Sequence, residues 1–249
     1  MSKNIAISIN NLDKSYSNDF KALDKLNLQV PEGSFFGLLG PNGAGKSTLI
    51  HCLTGLSIPT GGQAKIFDYD VVRDYKKARK IIGMSPQEIN LDWFLSVEDT
   101  LDYHGGYHGM KRDERKKQID TLLKAFKLGD KRKENIRTLS GGMKRRLVIA
   151  RALMHSPKVL ILDEPTAGVD IELRLELWKY MKNENKSGTT ILLTTHYIEE
   201  AEELCDQIAL INKGKIIYSG TKADIKKHYK RTNLESIYLD VIHGTKRDS

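Results

Sequence analysis

Polar and apolar residues alternate in the first thirty residues of the chain, which predicts strands with one buried face. The alternation is clear over 5–10 and again over 26–30. The apolar run at 34–39 is typical of a strand buried on both faces. A glycine-rich loop and a helix over about 46–53 are predicted to follow.

The hydrophobic spacing changes to a helical period in the middle of the chain. Ser96, followed by Glu98 and Asp99, has the pattern of a helix N-cap with an acidic first turn. Residues 113–128 place apolar side chains three and four positions apart. We therefore predict that about 97–154 is mostly helical and forms an insertion in the chain.

Beyond this insertion, strand and helix patterns alternate, which favours a mainly parallel sheet. The predicted elements are strands at 158–162, 189–194, 207–212 and 215–218, and helices at 172–183 and 199–204.

The composition is that of an ordinary globular protein, with 249 residues, of which 39% are hydrophobic and 29% charged. This length predicts one large domain or two small ones. No apolar run approaches the ~20 residues of a membrane span, and no signal-peptide pattern follows Met1, so we expect the protein to stay where it is made. Cys52 and Cys205 form no CxxC motif, which excludes a disulfide framework and suits a reducing cytoplasm.

The positive charge of the chain is concentrated in residues 111–151, which we call the basic segment. The whole chain has a net charge of +8, whereas this segment carries 15 basic and five acidic side chains, a net charge of +10. Such a segment fits nucleic acid, anionic lipid or an acidic protein, and it equally fits a solvated helix face. The sequence leaves these alternatives open.

Residues 40–47 match the pattern G-x-x-x-x-G-K-[ST], in which backbone amides and a helix N-terminus bind phosphate. A plain glycine-rich turn is the alternative, but the position between a buried strand and a helix favours nucleotide binding. In this interpretation Lys46 reaches the β- and γ-phosphates and Ser47 binds Mg²⁺. The candidate nucleotide-binding residues are Gly40, Pro41, Asn42, Gly43, Ala44, Gly45, Lys46, Ser47 and Thr48.

A second apolar strand ends in the carboxylates Asp163 and Glu164. The carboxyl ends of parallel strands are where open α/β sheets bind ligands. Asp163 is the natural Mg²⁺ partner, and Glu164 is suited to orient or deprotonate an attacking water. Without the phosphate loop, a solvated turn after a buried strand would be the simpler interpretation.

With further motifs in order, the chain resembles the ATP-binding cassette (ABC) ATPases over about residues 5–220. Leu-Ser-Gly-Gly-Met at 139–143 is similar to their signature sequence, and Thr-Thr-His at 194–196 to their switch histidine motif. Taken singly, the remaining matches would mean little. They are Gln87 of the glutamine loop, Asp170 after the acidic strand, and Tyr16, placed where an aromatic ring stacks on adenine.

The resemblance implies an α/β fold, with a P-loop NTPase core built on a mainly parallel sheet. An N-terminal antiparallel β subdomain and an inserted α-helical subdomain at about 88–155 would complete it. The nucleotide-binding domain would span 1–232, and 233–249 would be a short C-terminal tail.

The resemblance also implies a mechanism that needs two ATPase subunits, a homodimer or a pair of homologues. Ser140, Gly141 and Gly142 of one copy would act on the ATP bound by the other. The catalytic residues would be Lys46, Glu164 as the base, and His196, which holds the γ-phosphate and water. The Mg²⁺ ligands would be Ser47, Gln87 and Asp163, with Asp170 and Tyr16 also at the nucleotide.

One signature position departs from the family, because Met143 replaces the usual glutamine and has no side-chain hydrogen to donate. We expect function to persist, since Ser140, Gly141 and Gly142 supply the family's contacts. The sequence after Met143, and more weakly 234–239, resemble the ATPases of drug, antibiotic and polysaccharide exporters.

The leading hypothesis is therefore the ATPase subunit of an exporter. It would lie peripherally on the cytoplasmic face of the inner or plasma membrane and dock on a separate integral permease through segment 88–155. An anionic lipid surface is a further candidate partner, and nucleic acid is not expected. The cargo is chosen by the permease, so this chain does not disclose it.

Two other classes of protein fit the sequence less well. A soluble ABC ATPase acting on ribosome or DNA usually carries two cassettes or a long coiled-coil insertion, neither of which fits in 249 residues. A non-hydrolysing regulatory module would be expected to lack Glu164 or His196, and both are present.

Overall fold

A computed structural model describes residues 4–17 and 20–243 of the chain. In chain order its strands are β1 (Ile5–Ser15), β2 (Lys21–Pro31), β3 (Phe35–Leu39), β4 (Gly61–Ile66), β5 (Tyr69–Asp70), β6 (Ile82–Ser85), β7 (Val159–Asp163), β8 (Thr190–Thr195), β9 (Gln207–Asn212) and β10 (Lys215–Thr221). Its helices are α1 (Lys46–Thr54), α2 (Tyr75–Lys80), α3 (Val97–Tyr107), α4 (Arg112–Ala125), α5 (Gly141–Leu153), α6 (Ile171–Lys186), α7 (Ile198–Leu204), α8 (Lys222–His228) and α9 (Leu234–His243), with 3₁₀ turns at Gly129–Lys131 and Ile136–Thr138.

These strands form two sheets, which confirms the predicted fold class. An antiparallel sheet has the order β2-β1-β4-β5, and a six-stranded sheet has the order β10-β9-β3-β8-β7-β6. The larger sheet is parallel from β9 through β6, and only the β9–β10 hairpin at its edge is antiparallel.

The six-stranded sheet lies between two apolar cores, which explains the continuous apolar run of β3. Phe35 and Leu39 pack in a core shared with the helical insertion. Phe36 and Leu38 belong to the core beneath α1 and the antiparallel sheet. Successive residues of a strand point to opposite faces, so a strand covered on both sides must be apolar throughout.

The helical insertion, segment 88–155, contains the helices α3, α4 and α5, as the helical spacing predicts. Ser96 caps α3 by accepting a hydrogen bond from the Asp99 amide at 3.1 Å, and Glu98 and Asp99 lie in its first turn. Acidic side chains there are stabilised by the positive end of the helix dipole. Across the described ranges, no helix is long and apolar enough to cross a membrane.

Segment 233–249, which we interpret as a short C-terminal tail, begins with the helix α9, which packs against the larger core. Leu234 and Ile237 of α9 are fully buried in the larger core, and the Asn212 side chain donates to the Val241 carbonyl at 3.2 Å. Apolar residues one helical turn apart give α9 a buried face. The rest of the segment, 244–249, lies outside the described residues.

Candidate nucleotide-binding and catalytic site

The phosphate loop connects β3 to α1, and its glycines are required by its close packing. Gly45 caps α1 with a φ of 108°, a conformation that residues with a side chain rarely adopt. A Cβ on Gly40 would lie 2.3 Å from the Ile211 carbonyl oxygen. The loop therefore keeps its backbone turned toward a ligand at the N-terminus of α1.

Lys46 is buried inside this loop. Its ammonium donates to the carbonyl oxygens of Gly40 at 2.7 Å and Pro41 at 3.2 Å. Burial lowers the pKa of Lys46, while Glu164 and Asp163 act in the opposite direction. The rest of the predicted loop lies around it: Ala44 is buried, Pro41, Gly45, Ser47 and Thr48 are partly exposed, and Asn42 and Gly43 are exposed.

The carboxylate of Asp163 lies at the end of β7. This strand pairs with β8, which in turn pairs with β3, the strand before the phosphate loop. Thr194 of β8 donates its hydroxyl to Asp163 Oδ1 at 2.5 Å, and both side chains are buried. The second carboxylate oxygen of Asp163 has no hydrogen bond within the described residues. Thr194 therefore fixes the orientation of Asp163 and leaves one oxygen for a ligand.

Glu164 is the point where the predicted catalytic side chains meet. Its Oε1 lies 3.6 Å from Lys46 Nζ and 3.2 Å from His196 Nδ1, and its Oε2 accepts a hydrogen bond from Gln87 Nε2 at 3.2 Å. The phosphate loop, the glutamine loop and the switch histidine are thus brought together around one buried carboxylate.

The backbone of Glu164 is strained, with a φ of 47°. A residue with a side chain in this region costs on the order of 1–3 kcal/mol and persists only where its surroundings hold it. Here the Glu164 amide donates to the Thr194 carbonyl at 3.0 Å. The strand-end turn thereby holds the carboxylate among its three neighbours.

The side chains predicted to hold Mg²⁺ have a suitable donor chemistry. Ser47, Gln87 and Asp163 offer a hydroxyl, an amide oxygen and a carboxylate, the hard oxygen ligands that Mg²⁺ prefers. Gln87 uses its nitrogen for Glu164, so its oxygen is left for a cation. The residues present therefore fit the ion.

The signature residues lie at the start of α5. Ser140 caps the helix by accepting from the Met143 amide at 3.2 Å, and both Ser140 and Gly141 are exposed. A Cβ on Gly141 would meet open space, whereas one on Gly142 would lie 2.8 Å from Leu173. Met143 packs against the core, which accounts for an apolar side chain at this position.

Two predicted site residues, Asp170 and Tyr16, are not among the side chains that meet around Glu164. Asp170 caps α6 by accepting from the Leu173 amide at 2.8 Å. Tyr16 follows β1 and is exposed, with the Lys14 ammonium 4.9 Å from its ring centre. Their predicted contacts with nucleotide remain predictions.

Arg145 is a functional residue that the sequence analysis did not identify. Its buried guanidinium donates to the backbone carbonyls of Pro86 at 2.9 Å and Gln87 at 2.6 Å. It therefore ties the signature helix to the glutamine loop. The available signal was its position four residues before the apolar Ile149, on the buried face of α5.

Glu200 is a second residue that the sequence analysis missed. It accepts from the Thr166 hydroxyl at 2.9 Å and the Trp178 indole at 3.2 Å. Burial raises its pKa, against the effect of these hydrogen bonds. Glu200 links the helix that follows His196 to the loop that follows Glu164. Its place one helical turn before the buried Leu204 was the available signal.

Known proteins are similar to this chain over most of its length. A family model described as ABC transporter matches residues 23–167. The daunorubicin resistance ATP-binding protein DrrA3 of Streptomyces coeruleorubidus is 41% identical over 221 residues, which cover 89% of this chain and 70% of that protein. The Nod factor export ATP-binding protein I of Cupriavidus pinatubonensis is 38% identical over 242 residues, which cover 96% of this chain and 74% of that protein.

Solved structures share the fold. The ATP-binding subunit of an ABC transporter aligns with a TM-score of 0.89 at 27% identity, over 95% of this chain and 99% of that chain. A dimeric ATP-binding cassette in a post-hydrolysis state, bound to ADP and Pi, aligns with a TM-score of 0.78 at 27% identity, over 86% and 98%. Fold and site thus define a P-loop ATPase. The chain belongs to the ABC transporter family and is an ATPase subunit, which binds and hydrolyses ATP.

Proposed function

We propose that this ATPase powers an exporter by closing and reopening a dimer docked on a separate integral membrane permease. The meeting of Lys46, Gln87 and His196 around Glu164 is the observation that carries the proposal. It supplies a phosphate-facing cation, a candidate base and a group that senses the γ-phosphate in one place.

Hydrolysis in this proposal uses Glu164 as the general base. ATP places its phosphates in the loop 40–47, and Lys46 leaves its backbone carbonyls to face the β- and γ-phosphates. Glu164 then accepts a proton from the attacking water. His196, whose Nδ1 lies 3.2 Å from Glu164 Oε1, would hold that water and the γ-phosphate.

Mg²⁺ would be held by Ser47, Gln87 and Asp163. When bound, it neutralises charge on the phosphate oxygens. Thr194 holds Asp163 in the orientation described above, and the amide nitrogen of Gln87 stays with Glu164. Gln87 thereby links the ion and the base.

Dimer closure is supported by the position of the signature residues. Ser140 and Gly141 are exposed at the N-terminus of α5, where free backbone amides favour an anion. We propose that they bind the γ-phosphate held by a second subunit, with Asp170 at the same contact. The solved dimeric cassette supports this arrangement.

Export and membrane location are supported by the relatives, whose names refer to daunorubicin resistance and Nod factor export. The chain would lie on the cytoplasmic face of the membrane. The helical insertion offers exposed aromatic side chains for docking, since Phe94 is 81% and Tyr107 84% exposed. Such side chains are common anchors of protein interfaces.

The test is co-purification of the tagged chain from detergent-solubilised membranes, with identification of the bound proteins. We expect an integral protein with about six apolar spans, lost in Phe94→Ala. Phe20→Ala is the matched control, because Phe20 is also an exposed phenylalanine, at 62%, but lies outside the helical insertion. ATP hydrolysis by either isolated variant should equal that of the parent.

Recovery of ribosomes or DNA in place of an integral protein would support the alternative, a soluble ABC ATPase. Equal loss of the partner in Phe94→Ala and Phe20→Ala would contradict docking through the helical insertion.

A further inference from the structure

Three histidines form a cluster away from the nucleotide site. His104 and His108 lie one turn apart at the end of α3, and His155 lies just after α5. One ring nitrogen of each lies within 4.8 Å of the others, and all three side chains are partly buried. We call these residues the histidine cluster.

The three rings pack against one another, with one pair stacked and the other two pairs tilted. The His108 and His155 rings are stacked with centres 3.7 Å apart, and the His104 ring centre is 4.7 Å from that of His108. Two histidines four residues apart share one helix face, a spacing that zinc sites on helices use.

His155 has an unusual hydrogen-bonding state. Its Nε2 lies 2.9 Å from the Ile82 carbonyl oxygen, which can only accept, so Nε2 carries the proton. Its Nδ1 is then an acceptor, yet it is buried and has no hydrogen-bond partner. Leaving such a group unsatisfied typically costs about 1–3 kcal/mol.

A metal ion would satisfy this lone pair. Histidines that bind metals commonly donate their other ring nitrogen to a backbone carbonyl, which fixes the tautomer and the ring orientation. His155 already makes this contact through Ile82.

The three rings lie in a partly buried environment that disfavours their charged forms. Burial lowers the pKa of His104 to about 3 and that of His155 to about 4, and it lowers the pKa of His108.

We propose that His104, His108 and His155 bind one zinc ion, with water as the fourth ligand. Imidazole nitrogen suits zinc, and sites with three protein ligands keep one position open to solvent. Tetrahedral ligands at 2.0–2.1 Å lie about 3.3 Å apart, so the rings must rotate inward and the His108–His155 stack must open.

The ion would join α3 to the sheet strand β6 through His155. His104 lies in α3 and His108 directly follows this helix, whereas His155 follows α5 and is hydrogen-bonded to the Ile82 carbonyl at the start of β6. A zinc ion there would restrain movement of α3 relative to the parallel sheet.

The test is isothermal titration calorimetry, in which Zn²⁺ is added to the untagged chain after nucleotide and bound metal have been removed, the metal with a chelator. We expect one zinc per chain, with affinity reduced at least tenfold in His108→Ala and in His104→Gln. Loss of an outer-shell partner alone costs about 10–100-fold in metal affinity, so loss of a direct ligand should cost no less. His228→Ala is the matched control, since His228 is an exposed histidine outside the cluster, with its ring tilted against that of Tyr218.

Excess Mg²⁺ should not displace this zinc, because Mg²⁺ prefers oxygen ligands. Metal-free thermal unfolding of each variant checks that it folds like the parent. No zinc binding by the parent, equal binding in His108→Ala and the parent, or displacement by Mg²⁺ would each overturn the proposal.

Discussion

Replacing Arg145 with methionine should destabilise the protein and slow ATP hydrolysis together. Methionine fills much of the same volume but leaves the Pro86 and Gln87 carbonyls without their donor. A hydrogen bond to a charged group contributes about 1.5–3 kcal/mol, so two give roughly 3–6 kcal/mol. Burying a charged guanidinium costs free energy, and this is also why burial lowers the pKa of Arg145. The methionine variant no longer has this cost, which offsets part of the loss.

The net loss should be about 2 kcal/mol in the free energy of unfolding, a factor of roughly 30 in the folding equilibrium. Urea denaturation measures it directly. Arg146→Met is the matched control, because it also removes a charge, and within the described residues Arg146 donates a single hydrogen bond, to the Phe126 carbonyl at 3.2 Å.

Turnover should fall in Arg145→Met because Gln87 is no longer held against Glu164. Steady-state ATP hydrolysis, measured where the variant is fully folded, reports this effect. If Arg145→Met matches the Arg146→Met control in both stability and turnover, Arg145 does not position the glutamine loop.

Three further variants test separate parts of the account. Lys46→Ala should weaken ATP binding, because it removes the phosphate-facing cation. His196→Ala should bind ATP almost normally but hydrolyse it roughly 10²-fold more slowly. If a titration shows equal losses of ATP affinity in the two variants, their separate roles are contradicted. Lys131 and Lys133 of the basic segment pair with acidic side chains, while Lys116 and Lys117 are exposed. Reversing Lys116 and Lys117 to glutamate should weaken binding to anionic vesicles at least about thirtyfold, because loss of two lysines at roughly 1 kcal/mol each already costs about 2 kcal/mol. Equal binding to neutral vesicles, or preference for duplex DNA, would contradict lipid binding.

The sequence predicted the architecture well because its local patterns agree with the tertiary structure. The apolar run of β3 is buried on both faces, and Ser96 caps α3 as its side chain predicts. The phosphate loop and the Asp163–Glu164 strand end were identifiable because their chemistry requires particular residue types at fixed spacing.

Contacts between residues far apart in the chain could not be predicted from local sequence patterns. Nothing in the local sequence indicates that Arg145 reaches the glutamine loop, because its partners are backbone carbonyls about sixty positions earlier in the chain. Glu200 was missed for a similar reason, since its partners Thr166 and Trp178 lie on other elements. The histidine cluster likewise joins residues about fifty positions apart.

The central claim, that Glu164 is the base of an ATP-hydrolysing site, is tested most directly by the steady-state ATPase rate of Glu164→Gln at saturating ATP. The glutamine amide keeps the shape of the carboxylate but cannot accept a proton from water. The account predicts a rate about 10²–10⁴-fold below the parent, with ATP still bound. A rate close to that of the parent would show that Glu164 is not the base.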